Sequence, residues 1–448
     1  MIDNSSYALV LFCFTIVFSL LYFSSGKLLR PKLLIDPYFF LYILIGSMVA
    51  VHADIFFNNN INNTFIISYS FSILSFFIFF IFFSYYYNLK LKRIYNLTVI
   101  RVSERNLFSK SSVVVLSLYS IIFLYFDIEE SFVKFNSIDS FYSENLIYLN
   151  DNKFARYLLY AKGSVSLVFT SFLVYLTFFY KRISYFERFL ISTVIFSYII
   201  STLLAGNRSS AVTSFLIFGL IYISRNTPLS IKYRIKNIHS LILIFGGIFA
   251  IILTAQSLDN DLILSLFSLL ERIVLGSDIG YRYHLSSSLI DLSNFRDYDF
   301  SYFIKPILTG LGIQAPSPGI GPQVLIAAGI DEFGKGPIPT FYYDSFIISK
   351  SFIFPILYSS VIGFFIPFTR FHSIRLFEFY LMKNNTQGVV LACVVFLMCA
   401  GPTGDYLSFL NNVIVNLLSL ALLYSLVFIS NLRFSSYSKV NRHPEKKE

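Results

Sequence analysis

Two polar segments of this chain have the residue types and spacing to grip a phosphate. The first is Ala205-Gly206-Asn207-Arg208-Ser209-Ser210, a short break between two apolar runs. A guanidinium beside a helix N-terminus offers a diphosphate a fork of donors and free backbone N–H groups. Gly206 and the two serines leave room for a ligand. The competing reading is an arginine that snorkels to lipid head groups or pairs with a loop acid. The second segment is Gly280-Tyr281-Arg282-Tyr283-His284. Tyrosine faces stack on sugars and an arginine fork chelates phosphate oxygens, so Tyr281, Arg282, Tyr283 and His284 together suit a phosphorylated sugar. Loop packing with an Arg282–Asp278 pair accounts for the same residues.

Other candidates are weaker. Arg272 follows Glu271 and suits lipid head groups, and Arg296 in NFRDYD has Asp297 and Asp299 as ready partners. Lys162 and Lys350 fall inside apolar runs, where a cation is either functional or snorkelling. Asp344 and Asp405 are acids near helix ends, each a candidate base or an arginine partner, and Asp405 lies in the turn GPTGDY. His52, alone in an apolar run, reads as packing. The chain has no Walker loop, no GxGxxG after a strand, no HExxH, no GxSxG elbow and no zinc-spaced His/Cys cluster. Asp259-Asn260-Asp261 and Asp297-Tyr298-Asp299 have the Asp-x-Asp form of a nucleotide-sugar metal site. Both fall on the outer face derived below, where nucleotide sugars are scarce, so no metal and no cofactor are expected. Cys13, Cys393 and Cys399 sit in apolar runs and read as small hydrophobes.

The elements that must position these residues are membrane helices. Apolar residues form 56% of the chain against 13% charged, at a mean hydropathy of +0.67, which a soluble domain of this length does not need. Runs long enough to span a bilayer occur at 6–24, 37–56, 65–87, 111–128, 157–179, 189–206, 209–224, 239–257, 345–369, 386–402 and 408–431, about eleven in all. The fold class is therefore an all-α polytopic membrane protein. The N-terminal MIDNSSY lacks a basic region, so no cleavable leader is expected. Most of the 35 lysines and arginines fall on one side of this alternation: 27–32, 88–110, 181–188, 225–236, 370–383 and 433 onward. By the positive-inside rule that side is cytoplasmic, which leaves the N-terminus outside and the C-terminus inside. The net charge of +10 is read this way and not as a nucleic-acid surface. The organisation is eight spans over 1–256, a large outer loop with short helices over 257–343, three spans over 344–432 and a basic tail over 433–448. That loop includes the irregular tract GLGIQAPSPGIGP.

This frame sharpens the first segment. The roughly 36 residues between Arg188 and Arg225 must cross outward and return, which leaves about 18 per crossing, or about 27 Å at ~1.5 Å per residue. That barely covers a ~30 Å hydrocarbon core. Arg208 is thus expected at the outer boundary, below the loop that carries Arg282 and His284.

The overall plan resembles the Wzy-type polymerases, integral membrane glycosyltransferases of GT-C-like plan that polymerise O-antigen repeat units. The resemblance covers nearly the whole chain: many spans, one dominant outer loop and arginines on outer segments. Locally it rests on Gly206-Asn207-Arg208 opening a span, with Arg208 and Gly219 in R-x10-G spacing, and on YRYH, FRDYDF and GLGIQAPSPGIGP. No second R-x10-G starts from Arg272, Arg282 or Arg296, which leaves the loop partner of Arg208 unassigned. The resemblance implies transfer of a growing glycan from undecaprenyl diphosphate to the non-reducing end of a new lipid-linked repeat, at the periplasmic face of a bacterial inner membrane. Arg208 and Arg282 would stabilise the departing diphosphate. His284, Asp299 and Asp405 would be candidate bases, and Asn207, Tyr281, Tyr283, Arg272, Arg296, Lys162 and Lys350 would contact substrate. The implied partners are undecaprenyl-diphosphate-linked glycans, the bilayer, a chain-length regulator and a flippase of the same pathway. An O-antigen ligase would share donor and leaving group. A repeat-unit flippase is the alternative of another class, opposed by the odd span count and the lack of repeated halves.

Overall fold

The starts of four helices can be read from a side chain that satisfies their free N–H groups. The computed structural model describes residues 36–57, 63–97, 108–136, 153–204, 209–224, 231–235, 351–383, 385–399 and 406–440, with short pieces at 12–16 and 18–19 and isolated positions at 237, 304 and 308. These residues are helical almost throughout. The helices are α1 Pro37–Phe57, α2 Asn63–Leu97, α3 Lys110–Asn136, α4 Lys153–Phe179, α5 Tyr185–Leu204, α6 Ser209–Ile223, α7 Ile353–Met382, α8 Thr386–Leu397 and α9 Tyr406–Val440. Asp36 caps α1, its Oδ1 accepting the Tyr38 N–H at 3.1 Å, with Pro37 in the first helical position where no N–H is needed. Ser109 caps α3 through the Ser112 N–H (3.2 Å) and Asn385 caps α8 through the Gly388 N–H (3.0 Å). At α5 the cap is reciprocal: the Glu187 N–H donates to Ser184 Oγ (3.3 Å), and the Ser184 N–H donates back to Glu187 Oε2 (2.9 Å).

Among the described residues, four helical stretches are long and apolar enough to cross a membrane: Ile67–Ile94, Lys110–Ile128, Ile353–Met382 and Asn412–Ser430. Their outward faces carry large apolar side chains such as Phe71, Ile78, Phe82, Ile122 and Phe126, which a bilayer and not water would solvate. The protein is an all-α membrane protein.

The chain divides into two compact units. The first comprises Met1–Val99, Ser240–Ser373 and Val395–Ile414. In it α1 and α2 run antiparallel, with Tyr38 at the start of α1 meeting Ser84 late in α2 (3.1 Å). The aromatic core stacks Phe76 on Phe80 (5.7 Å) and sets Tyr38 edge-on to Phe80 (5.1 Å). Helix α7 runs parallel to α2. Ser68 donates to the Phe352 carbonyl (3.0 Å), Phe83 packs on Phe364 (4.8 Å), and further along Arg370 donates to Asn88 (3.3 Å). The two backbones meet at Gly363, where a Cβ would lie 2.7 Å from the Phe76 carbonyl oxygen. Small residues permit such approach between membrane helices. Gly363→Val is expected to destabilise by about 1–3 kcal/mol, the usual cost of overpacking. Thermal unfolding of the detergent-solubilised variant checks this, and an unchanged midpoint would refute the close contact.

The second unit comprises Ile100–His239, Ile374–Val394 and Val415–Glu448. Here α3 is antiparallel to α4, with Phe108 against Tyr175 (5.3 Å) and Tyr119 bonded to Ser164 (2.7 Å). A tight turn returns α4 into α5, and Phe169 stacks on Tyr198 at 4.3 Å. Helix α5 is therefore parallel to α3. Ser112 at the start of α3 bonds Ser430 late in α9 (2.9 Å).

One expectation is corrected. The sequence places Arg370, Arg375 and Lys383 in a cytoplasmic loop that follows a span ending at 369. The helix instead continues to Met382, and Arg370 is a buried helical residue. The reason is its partner, Asp36, described below.

Candidate functional site

Helix α3 carries an acid, Asp127, at the end of the apolar stretch SLYSIIFLYF. It is the penultimate residue of the membrane-crossing stretch Lys110–Ile128, next to Glu129 and Glu130. Asp127 does not stand alone: the Ser201 hydroxyl of α5 donates a short hydrogen bond to its Oδ2. Tyr198 lies one turn before Ser201 on α5 and is stacked on Phe169. Asp127 and Ser201 lie at matching heights, each about 25 Å from the start of its own helix at ~1.5 Å per residue. Both are thus at the end of the second unit opposite the α4–α5 turn. Helix α5 ends at Leu204 and α6 begins at Ser209, so Asn207 and Arg208 fall in the four-residue connection that follows this cluster.

No protein-family model, curated protein or solved structure matches this chain.

Asn207 and Arg208 themselves lie outside the described residues, as do Arg272, Tyr281, Arg282, Tyr283, His284, Arg296, Asp299, Asp344, Lys350 and Asp405. The expected outer loop over 257–343 falls outside them too, apart from positions 304 and 308. Lys162 is on the described backbone of α4, about two and a half turns into a helix that starts four residues earlier than the apolar run suggests. It precedes Gly163, where a Cβ would crowd Ser419 and Val415 of α9. His52 is on the backbone of α1.

The sequence reading missed two groups. One is Asp127, the acid that closes the apolar run before Glu129 and Glu130. The other group is Asp36 with Arg370. The Arg370 Nη2–H donates to Asp36 Oδ2 at 2.8 Å and Nε–H to Oδ1 at 3.2 Å, a two-pronged ion pair. Its guanidinium also lies 4.3 Å from the Tyr38 ring centroid. The pair is buried, with side chains 8% and 5% exposed, and it joins α7 to the start of α1. Fully paired and stacked, this arginine is a structural tie and not a ligand site. Among the described residues, no three His, Cys, Asp or Glu side chains converge as a metal site would.

An open apolar groove of about 780 Å³ runs along α2 from Ser70 to Tyr85, with Val49 of α1 on its wall. Its lining is carbon almost throughout, so it offers dispersion contacts and no chemistry.

Proposed function

We propose that this protein polymerises lipid-diphosphate-linked oligosaccharide repeats at the outer face of a bacterial inner membrane. The growing glycan moves from its diphosphate to a hydroxyl on the next repeat. The C–O bond to the leaving diphosphate breaks as the acceptor oxygen bonds the anomeric carbon, and the hydroxyl proton passes to a base. The observation that carries the reading is Asp127, a carboxylate held by Ser201 at the helix end that leads directly into Arg208. Cation and carboxylate at one membrane boundary suit a reaction that builds negative charge on one oxygen and removes a proton from another. Asp127 joins His284, Asp299 and Asp405 as a candidate base, or serves as the counter-charge that orients Arg208. The eleven-span topology draws support from helix direction. The parallel run of α2 and α7 is what their order as third and ninth spans requires, and the parallel run of α3 and α5 agrees with fourth and sixth.

Purified protein given lipid-linked repeats is expected to yield a ladder of products. A single capped lipopolysaccharide would favour the ligase, and transport without product the flippase. In the same assay Asp127→Asn is expected to slow product formation on the order of tenfold or more, the scale at which a misplaced catalytic group is felt. Ser201→Ala should slow it less, because the carboxylate persists. An Asp127→Asn variant as fast as the parent would remove Asp127 from the site.

A further inference from the structure

The opposite end of the second unit carries a feature that glycan transfer does not use. Helix α4 passes through a short 3-10 turn, Tyr180–Arg182, and α5 starts after Ser184. The Arg188 guanidinium lies 4.2 Å from the Tyr180 ring centroid and 5.1 Å from that of Tyr185. Ring contacts use the flat faces of a guanidinium and leave its N–H edge for an acceptor. Within the protein its buried Nε–H has no hydrogen-bond partner. The nearest acid in sequence, Glu187, is only 4% exposed, and its Oε2 is occupied by the backbone and hydroxyl of Ser184. Lys181 and Arg182 add two more cations to the same turn. Around them the aromatic side chains point outward, with Tyr185 87%, Phe186 62% and Phe189 67% exposed.

We infer that the α4–α5 turn is a binding platform for an anionic phospholipid, with the Arg188 fork on the lipid phosphate and the exposed rings among the upper acyl chains. In the proposed topology the turn joins the fifth and sixth spans, which sets it at a bilayer surface. Exposed phenylalanines there are solvated by acyl chains, and tyrosines prefer the headgroup level. The three cations against one internally bonded acid give the turn the sign that attracts anionic head groups. In the proposed topology this surface is cytoplasmic, where anionic lipid and basic turns meet. The platform rests on that span order and not on the reaction. It stands whether or not the chain polymerises glycans.

The test uses the full chain, stripped of lipid in detergent and offered phosphatidylglycerol or phosphatidylcholine. Retained lipid is counted by mass spectrometry of the intact protein. The parent protein is expected to retain phosphatidylglycerol preferentially, and Arg188→Gln to lower that retention about fivefold, the worth of one cation at an anionic surface. Lys92→Gln, on α2 in the other unit, should leave it unchanged. Should Arg188→Gln fail to fold, the paired change Tyr180→Leu with Tyr185→Leu removes the rings that orient the guanidinium and should lower retention similarly. Equal retention of the two lipids, or equal loss from Lys92→Gln, would overturn the proposal. So would competition by free glycerol phosphate at the lipid's own concentration, which would make this a soluble-phosphate site, or binding of a protein partner that blocks lipid.

Discussion

Replacing Arg208 with alanine is expected to cut formation of long glycan chains by about 10²–10³-fold with expression unchanged. Loss of one preorganised donor to a developing anion has that effect in comparable acyl-transfer sites. The position amplifies it. Only four residues separate Leu204 from Ser209, so this connection cannot reach far, and no neighbouring cation in it can substitute for Arg208. Arg208→Lys restores the charge but not the fork, and should recover part of the rate. The measurement is the product ladder from purified enzyme and lipid-linked repeats, with chain length in cells as a second readout. Normal long chains from Arg208→Ala would end its assignment to the diphosphate, while a ladder from the parent would still stand for the polymerase.

The second large effect is on stability. Arg370→Ala should destabilise the protein by about 3–5 kcal/mol, because it strands the buried Asp36 carboxylate. Asp36→Asn keeps the cap on α1 but leaves Arg370 without its counter-charge, and should cost somewhat less. Asp36→Ala loses the cap as well, about another 1 kcal/mol. Removing both charges together, as Asp36→Asn with Arg370→Met, should recover much of the loss, since a buried pair breaks near even against an apolar replacement. Thermal unfolding in detergent reads all four variants. A double variant no more stable than the worse single one would show that the pair is not the coupling unit.

Helix positions were largely legible in the sequence. The expected spans 37–56, 157–179, 189–206 and 209–224 lie within about four residues of α1, α4, α5 and α6, because an apolar run in a membrane has no other way to satisfy its backbone. Helix ends were less legible where they depended on a distant partner. Hydropathy fell at Arg370, and the span was closed there, because composition registers a charge but not the carboxylate that neutralises it. Asp127 was passed over for the same reason: the hydroxyl that holds it is 74 residues away. The proposed site was legible only as positions. Arg208 could be set at a membrane boundary by counting residues between basic turns, whereas no count brings Arg282 or His284 to it.

The tie between Asp36 and Arg370 also has a bearing on how the protein is made. The two residues are 334 positions apart. At ~5–20 residues per second, roughly 15–70 s of synthesis separate them. Through that interval Asp36 has the first turn of α1 to bind but no cation from α7. The start of α1 must therefore wait at a wet boundary, with its carboxylate hydrated, until α7 is translated. Biogenesis of the first unit is completed late, when one of the last helices to leave the ribosome closes onto one of the first.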